Sequence, residues 1–168
     1  LEMLAEDAEE FADNATRQYY YGRQLYYGGR MDAIPFLKHC YEISAWPAEA
    51  ANALVFCGNL YEGKAEKARL QENLAEMDDS KAKALECFKQ SVVKYPHLRG
   101  SFAGIFRNAP TREERVEAGM AVLAIRESTF FDDSPRLYTE DYENHVRGRI
   151  EEEAKEQIRL NEVINGVR

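Results

Sequence analysis

The side chains able to do chemistry are few and scattered. Three histidines, His39, His97 and His145, stand alone, with no second histidine four residues away to share a metal on one helical face. His39 precedes Cys40, but consecutive residues of a helix point in different directions and do not meet as nucleophile and base. Asp132 and Asp133 stand before Ser134-Pro135, where a solvated turn or helix cap is the ordinary use of such a pair. Cys40, Cys57 and Cys87 lie within apolar patterns without a CxxC spacing. Their odd number closes no disulfide framework, so they read as buried free thiols. No nucleophile, base and orienting group recur at a spacing that would gather them in one pocket. The sequence therefore predicts no catalytic residue, no metal site and no cofactor.

What it does concentrate is aromatic, hydroxyl-bearing surface. Tyr19, Tyr20, Tyr21, Tyr26 and Tyr27 fall within nine residues, and tyrosine combines a large apolar ring with a polar tip at small entropic cost. Five of them cannot share one face of a helix with about 3.6 residues per turn. Some must pack between helices, leaving the others free to bind.

The elements that position these residues are helices. Apolar residues recur every three or four positions, prolines and glycines fall between segments, and no alternating strand pattern competes. The spacing predicts an acidic amphipathic helix over residues 1–11, then a helix over about 15–27, capped by Asp13 or Asn14 and stopped by Gly28-Gly29. A third is expected over 32–44 with Pro35 in its first turn, and a fourth over 48–61. Residues 64–78, rich in helix formers, read as a continuation of the fourth. The fifth is expected to start after Asp79-Ser80 and to end before Pro96. Helices over 98–108 and 111–126 follow, the latter opened by a capping box from Thr111 to Glu114. Residues 127–138 read as a linker. A long charged helix over 139–164 then carries Val146, Ile150, Ala154 and Ile158 at four-residue spacing, a narrow stripe suited to capping a stack or pairing with a partner helix.

Composition bounds the partners. A chain of 168 residues and 19.3 kDa suits one domain or one short run of repeats. With 22 basic against 30 acidic residues, a net charge of −8 and a pI near 5.0, it repels nucleic-acid phosphates and anionic lipid, and no basic cluster offsets this. Mean hydropathy is −0.58, and no apolar run is long enough to span a bilayer. No basic-then-apolar leader opens the chain, so a cytoplasmic location is expected. Leu1 stands ahead of Met3, which reads as a piece of a longer product.

Two segments of the chain resemble each other. Residues 19–26 align with 55–62, and 33–37 with 84–88, each pair forming a helix A followed by a helix B. A small residue on helix A, Gly22 or Gly58, lets helix B approach, and an alanine on helix B, Ala33 or Ala84, faces it. Leu37, Tyr61 and Phe88 fill the space between successive hairpins, and Pro96 closes the second unit. The pattern resembles the tetratricopeptide repeat, most fully through Gly58, Tyr61, Ala84, Phe88 and Pro96. The glycine-to-alanine separation, 58 to 84 against 22 to 33, marks residues 64–77 as an insertion that lengthens the second hairpin. The first unit has Leu25 where the family favours tyrosine, and a third unit over 98–126 is weak.

This resemblance implies an all-α fold: antiparallel helical hairpins stacked as a short right-handed solenoid over residues 1–126, then the 127–138 linker and a C-terminal helix over 139–168 for capping or association. It also implies a binding groove lined by helix A positions facing away from helix B. Those positions are Thr16, Tyr19, Arg23, Tyr26 and Tyr27 in the first unit and Asn52, Val55, Asn59 and Glu62 in the second. Asn59 is similar to the asparagine of carboxylate-clamp repeats, but Val55 stands where their lysine would be.

The segment 16–37, followed by Trp46-Pro47-Ala48-Glu49-Ala50, and the later segment 121–138 together resemble the helical-repeat region that follows the catalytic domain in bacterial and phage family 2 glycosyltransferases. The nucleotide-sugar domain of those enzymes is absent. The resemblance implies a non-catalytic module that positions an acceptor, a partner protein, the parent's catalytic domain or a second subunit. A stand-alone adaptor or chaperone gripping an extended peptide is the alternative, and an enzyme in its own right has the least support.

Overall fold

The computed structural model describes residue 10 and residues 12–126 and 135–166. Asn14 accepts a hydrogen bond from the Arg17 backbone N–H at 3.1 Å and so satisfies one of the orphan donors that open a helix. Helix α1, Ala15–Tyr27, starts there. It ends where Gly29 takes a left-handed φ of 66° and the Arg30 N–H reaches back to the Leu25 carbonyl, a stop that glycine allows without a Cβ penalty. Helices α2, Ala33–Ile43, and α3, Pro47–Leu70, follow. Then come α4, Leu74–Lys94, α5, Arg99–Asn108, and α6, Arg112–Ala124. A short 3-10 turn, Pro135–Tyr138, leads into α7, Glu140–Gly166. The described residues contain seven α-helices and no strand, the all-α class expected from the periodicity.

One helix break lies elsewhere than the sequence suggests. Asp79-Ser80 does not start a helix: Ser80 is buried within α4 and Asp79 pairs with Lys83 one turn on. The chain turns instead at Gln71–Asn73. There Glu72 adopts a left-handed φ of 58°, the Asn73 N–H bonds the Ala68 carbonyl at 2.9 Å, and the Asn73 side chain caps α4. The geometry repeats the stop of α1, with glutamate at the position that glycine normally occupies. Residues 64–77 therefore form the tip of the α3–α4 hairpin. The helix expected over 1–11 and residues 127–134 of the expected linker fall outside the described residues.

Consecutive helices run antiparallel. Ser91 Oγ donates to the Ala51 carbonyl at one end of the α3–α4 pair, and Lys64 meets Glu76 at the other. In the α5–α6 pair, Arg99 reaches the Val122 carbonyl and Arg115 the Ala109 carbonyl. Odd-numbered helices lie parallel. Thr16 bonds Glu49, Asn52 bonds Tyr19 and Asn59 bonds Tyr26, each pair separated by 33 residues, so α1 and α3 keep a constant register. Between α3 and α5 the Glu62–Arg107 pair spans 45 residues.

The small residues sit where helices approach most closely. A Cβ on Gly22 would meet Leu37 Cγ at 2.8 Å, and one on Gly58 would meet the Phe88 ring at 2.6 Å. Ala33, Ala84, Leu37 and Phe88 are fully buried, Tyr61 packs against both core clusters, and Pro96 lies in the exposed turn between α4 and α5. Around α3 the packing is complete: every residue from Glu49 to Gly58 is buried, with α1, α2, α4 and α5 as neighbours. A helix that is apolar on all sides belongs at the centre of a fold.

The final helix divides in two. Val146 is buried, Ile150 Cδ1 packs over Gly119, and Arg115 bonds Glu153 at 2.8 Å. Arg99, itself buried, bonds Glu143 at 2.8 Å beneath the ring of Tyr138. Ala154 and Ile158, expected on the same stripe, are exposed, as are Leu160 and Val163.

Candidate functional site

The expected groove residues fall into two groups. Tyr19, Asn52 and Val55 do not line an open groove: they are 1%, 3% and 4% exposed. Tyr19 and Asn52 are consumed by the α1–α3 contact through their 2.8 Å hydrogen bond, and Val55 packs against Gly100 of α5. Thr16 is also tied into this seam, its hydroxyl donating to the buried Glu49 carboxylate at 3.0 Å. Glu49 accepts a second hydrogen bond from Ser44 at 2.9 Å. Glu49 of the Trp46 motif thus joins α1, α3 and the end of α2.

Of the remaining residues, Tyr26, Tyr27, Asn59 and Glu62 converge on a cleft of about 800 Å³ bounded by the C-terminal ends of α1 and α5 and the C-terminal half of α3. Tyr26 stacks on Phe56 at 4.4 Å and its hydroxyl accepts from Asn59 Nδ2 at 3.2 Å. Tyr27 is 55% exposed. Arg23 sits beside it, Nε donating to the Tyr27 hydroxyl at 3.1 Å and the guanidinium lying over the Tyr20 and Tyr27 rings; cation–π contact fixes the tyrosine edge of the cleft. From the far side the cleft is bounded by Arg136, Leu137 and Tyr142.

The cleft carries a charge opposite to that of the chain. Among the described residues, Lys64, Lys67, Arg107 and Arg136 line it against one carboxylate, Glu62. Glu62 takes Arg107 in a bidentate pair at 2.8 and 2.9 Å and a further bond from Asn108. Burial works against the Arg107 charge, and the Glu62 carboxylate outweighs it, so the Arg107 pKa is raised. Lys64 meets Glu76 at 3.1 Å. Lys67 and Arg136 have no ion pair among the described residues and are exposed. Burial pushes the Tyr142 phenol up against the pull of the neighbouring Arg107.

Sequence reasoning missed Lys64, Lys67, Arg107, Arg136 and Tyr142. The two lysines lie in the segment marked as an insertion, which was a usable signal. Arg107, Arg136 and Tyr142 arrive from distant helix ends, and no local pattern announces them. The other candidate groups do not assemble. His39 contacts the Ala12 carbonyl and Glu42, His97 lies edge-on to Tyr95, and His145 sits beside Tyr142. All three cysteines are buried, and burial raises each thiol, Cys87 to about 11 and the others further. Among the described residues no three His, Cys, Asp or Glu side chains stand close enough to share a metal, and no helix is long and apolar enough to cross a membrane. Asp132 and Asp133 lie outside the described residues. The cleft thus offers positive charge, tyrosine rings and an amide, the equipment of a binding site. Comparison with family models, curated proteins and solved structures yields no match.

Proposed function

We propose that this chain is a non-catalytic, tetratricopeptide-like interaction module, its hairpins stacked as a short right-handed solenoid, and that the cleft between α1, α3, α5 and the start of α7 is where it holds its ligand. The reading rests on one observation, the constant step of 33 residues that relates α1 to α3 at three successive hydrogen bonds. The equivalent positions of these two helices, Gly22 and Gly58, lie 36 residues apart, close to the period of helical-hairpin repeats. The equivalent Gly22–Leu37 and Gly58–Phe88 contacts strengthen it, since stacked repeats reuse one packing solution.

The order of motifs over residues 16–50 and 121–138 supports a place beside the catalytic domain of a family 2 glycosyltransferase, with the cleft positioning the acceptor or a partner. Recovering the native gene product with an antibody and measuring its intact mass tests that parentage. A product exceeding 19.3 kDa by about 100–250 residues, with nucleotide-sugar turnover, is expected. In that product Tyr27→Ala should raise the KM for acceptor and leave the donor KM unchanged. A product near 19.3 kDa replaces this parentage with the stand-alone adaptor.

A further inference from the structure

We infer that the cleft binds an anionic saccharide, a sugar carrying phosphate or carboxylate, with Lys67 and Arg136 receiving the acid group and Tyr27 the sugar ring. The inference rests on the reading of this cleft as the module's binding site. Three features of the structure lead to it.

The first is shape. An extended peptide needs a groove that continues along the odd-numbered helices, and the burial of α3 from Glu49 to Gly58 closes that path. The open cleft is bounded by the C-terminal half of α3 and the ends of α1 and α5, and its 800 Å³ falls in the range of sites for compact small molecules.

Charge is the second. On a chain of net charge −8, four cations border one cleft, and among its described lining residues only Glu62 is acidic. Arg107 is committed to Glu62 and Lys64 to Glu76. Lys67 and Arg136 keep their positive charge unmatched among the described residues, so an incoming anion gains their attraction without breaking an existing pair.

The third is the kind of polar group. Tyr27 presents an exposed ring whose orientation is held by Arg23, a flat apolar platform with a polar edge. The Asn59 amide and the Glu62 carboxylate stand on the adjoining wall, and groups of these two kinds pair with hydroxyls that both donate and accept.

The test is isothermal titration of the whole chain with glucose 1-phosphate, glucuronate, glucose, inorganic phosphate and uridine monophosphate. Glucose 1-phosphate or glucuronate should bind at least about tenfold more tightly than glucose or inorganic phosphate. Lys67→Ala with Arg136→Ala should weaken that binding by about tenfold or more, and so should Tyr27→Ala, each with an unchanged melting curve. Equal binding of inorganic phosphate would leave the ring without a part and overturn the inference. Tighter binding of uridine monophosphate would do the same, as would indifference to the substitutions or absence of binding at millimolar probe. None of these isotherms depends on the mass of the native product, so the saccharide and the glycosyltransferase parentage fail separately.

Discussion

A Cβ placed on Gly104 would lie 2.3 Å from the ring of Phe88. The same ring meets Gly58 at 2.6 Å, so Phe88 of α4 is wedged between two backbones, α3 on one side and α5 on the other. A fully buried ring enclosed in this way has no room to withdraw. Gly104→Ala should destabilise the protein by about 1–3 kcal/mol through overpacking, read from urea unfolding. Phe88→Leu in the Gly104→Ala background should recover part of that loss. An alanine variant that unfolds like the parent would mean that α4 and α5 are not packed as described.

Glu72 occupies a left-handed conformation, φ 58°, at the tip of the α3–α4 hairpin. That region costs a residue with a Cβ about 1–2 kcal/mol relative to glycine, offset in part by the greater chain entropy that glycine loses on folding. Glu72→Gly should therefore be stabilising by up to about 1 kcal/mol, whereas Glu72→Val should be destabilising, because a β-branched residue suits φ > 0 least. Thermal melts of the two variants should bracket the parent. A destabilised glycine variant would show that the turn is built differently.

The same turn explains how far the fold was legible in the sequence. Where a helix boundary uses its customary residue, as at the Gly28-Gly29 stop after α1 or the Thr111 cap before α6, the sequence places it closely. At Glu72 the stop used glutamate, and the boundary slipped to Asp79-Ser80. The repeat glycines were visible because their spacing recurs, but Gly104 belongs to the weak third unit and gave no pattern to match. The tyrosine half of the cleft was legible from composition. Burial separated Tyr19 from Tyr27, and burial depends on the neighbouring α3, so local sequence could not separate them. The cationic half depends on where three distant helix ends meet, and that is a property of the tertiary fold.

Arg99 fastens α7 to the body of the protein. It is fully buried, donates to the Val122 carbonyl at 2.7 Å and to Glu143 at 2.8 Å, and lies under Tyr138. Removing one partner of such a pair leaves the others without their donor. Arg99→Met keeps much of the volume and loses the charge, and should cost about 3 kcal/mol. Hydrogen exchange should accelerate over residues 140–153, with α1 and α2 unaffected, because their core lies on the far side of α3. Uniform acceleration across all helices would mean that Arg99 supports the whole fold and not this one attachment.

Acid should release the same helix. Hydrogen bonds from Arg99 and Arg115 hold the Glu143 and Glu153 carboxyls below the ordinary carboxylate range, against the smaller opposing effect of burial. A carboxyl whose pKa is lower folded than unfolded binds fewer protons in the native state, so its contribution is complete above the unfolded value of about 4.3 and disappears as pH falls through the folded one. Stability should therefore decline below about pH 5, and exchange protection over residues 140–153 should go before that of α1 to α4. Glu143→Gln and Glu153→Gln together should lower stability at neutral pH and flatten the acid limb of the curve. Protection of α7 that persists unchanged to pH 3 would show that these two pairs do not hold it in place.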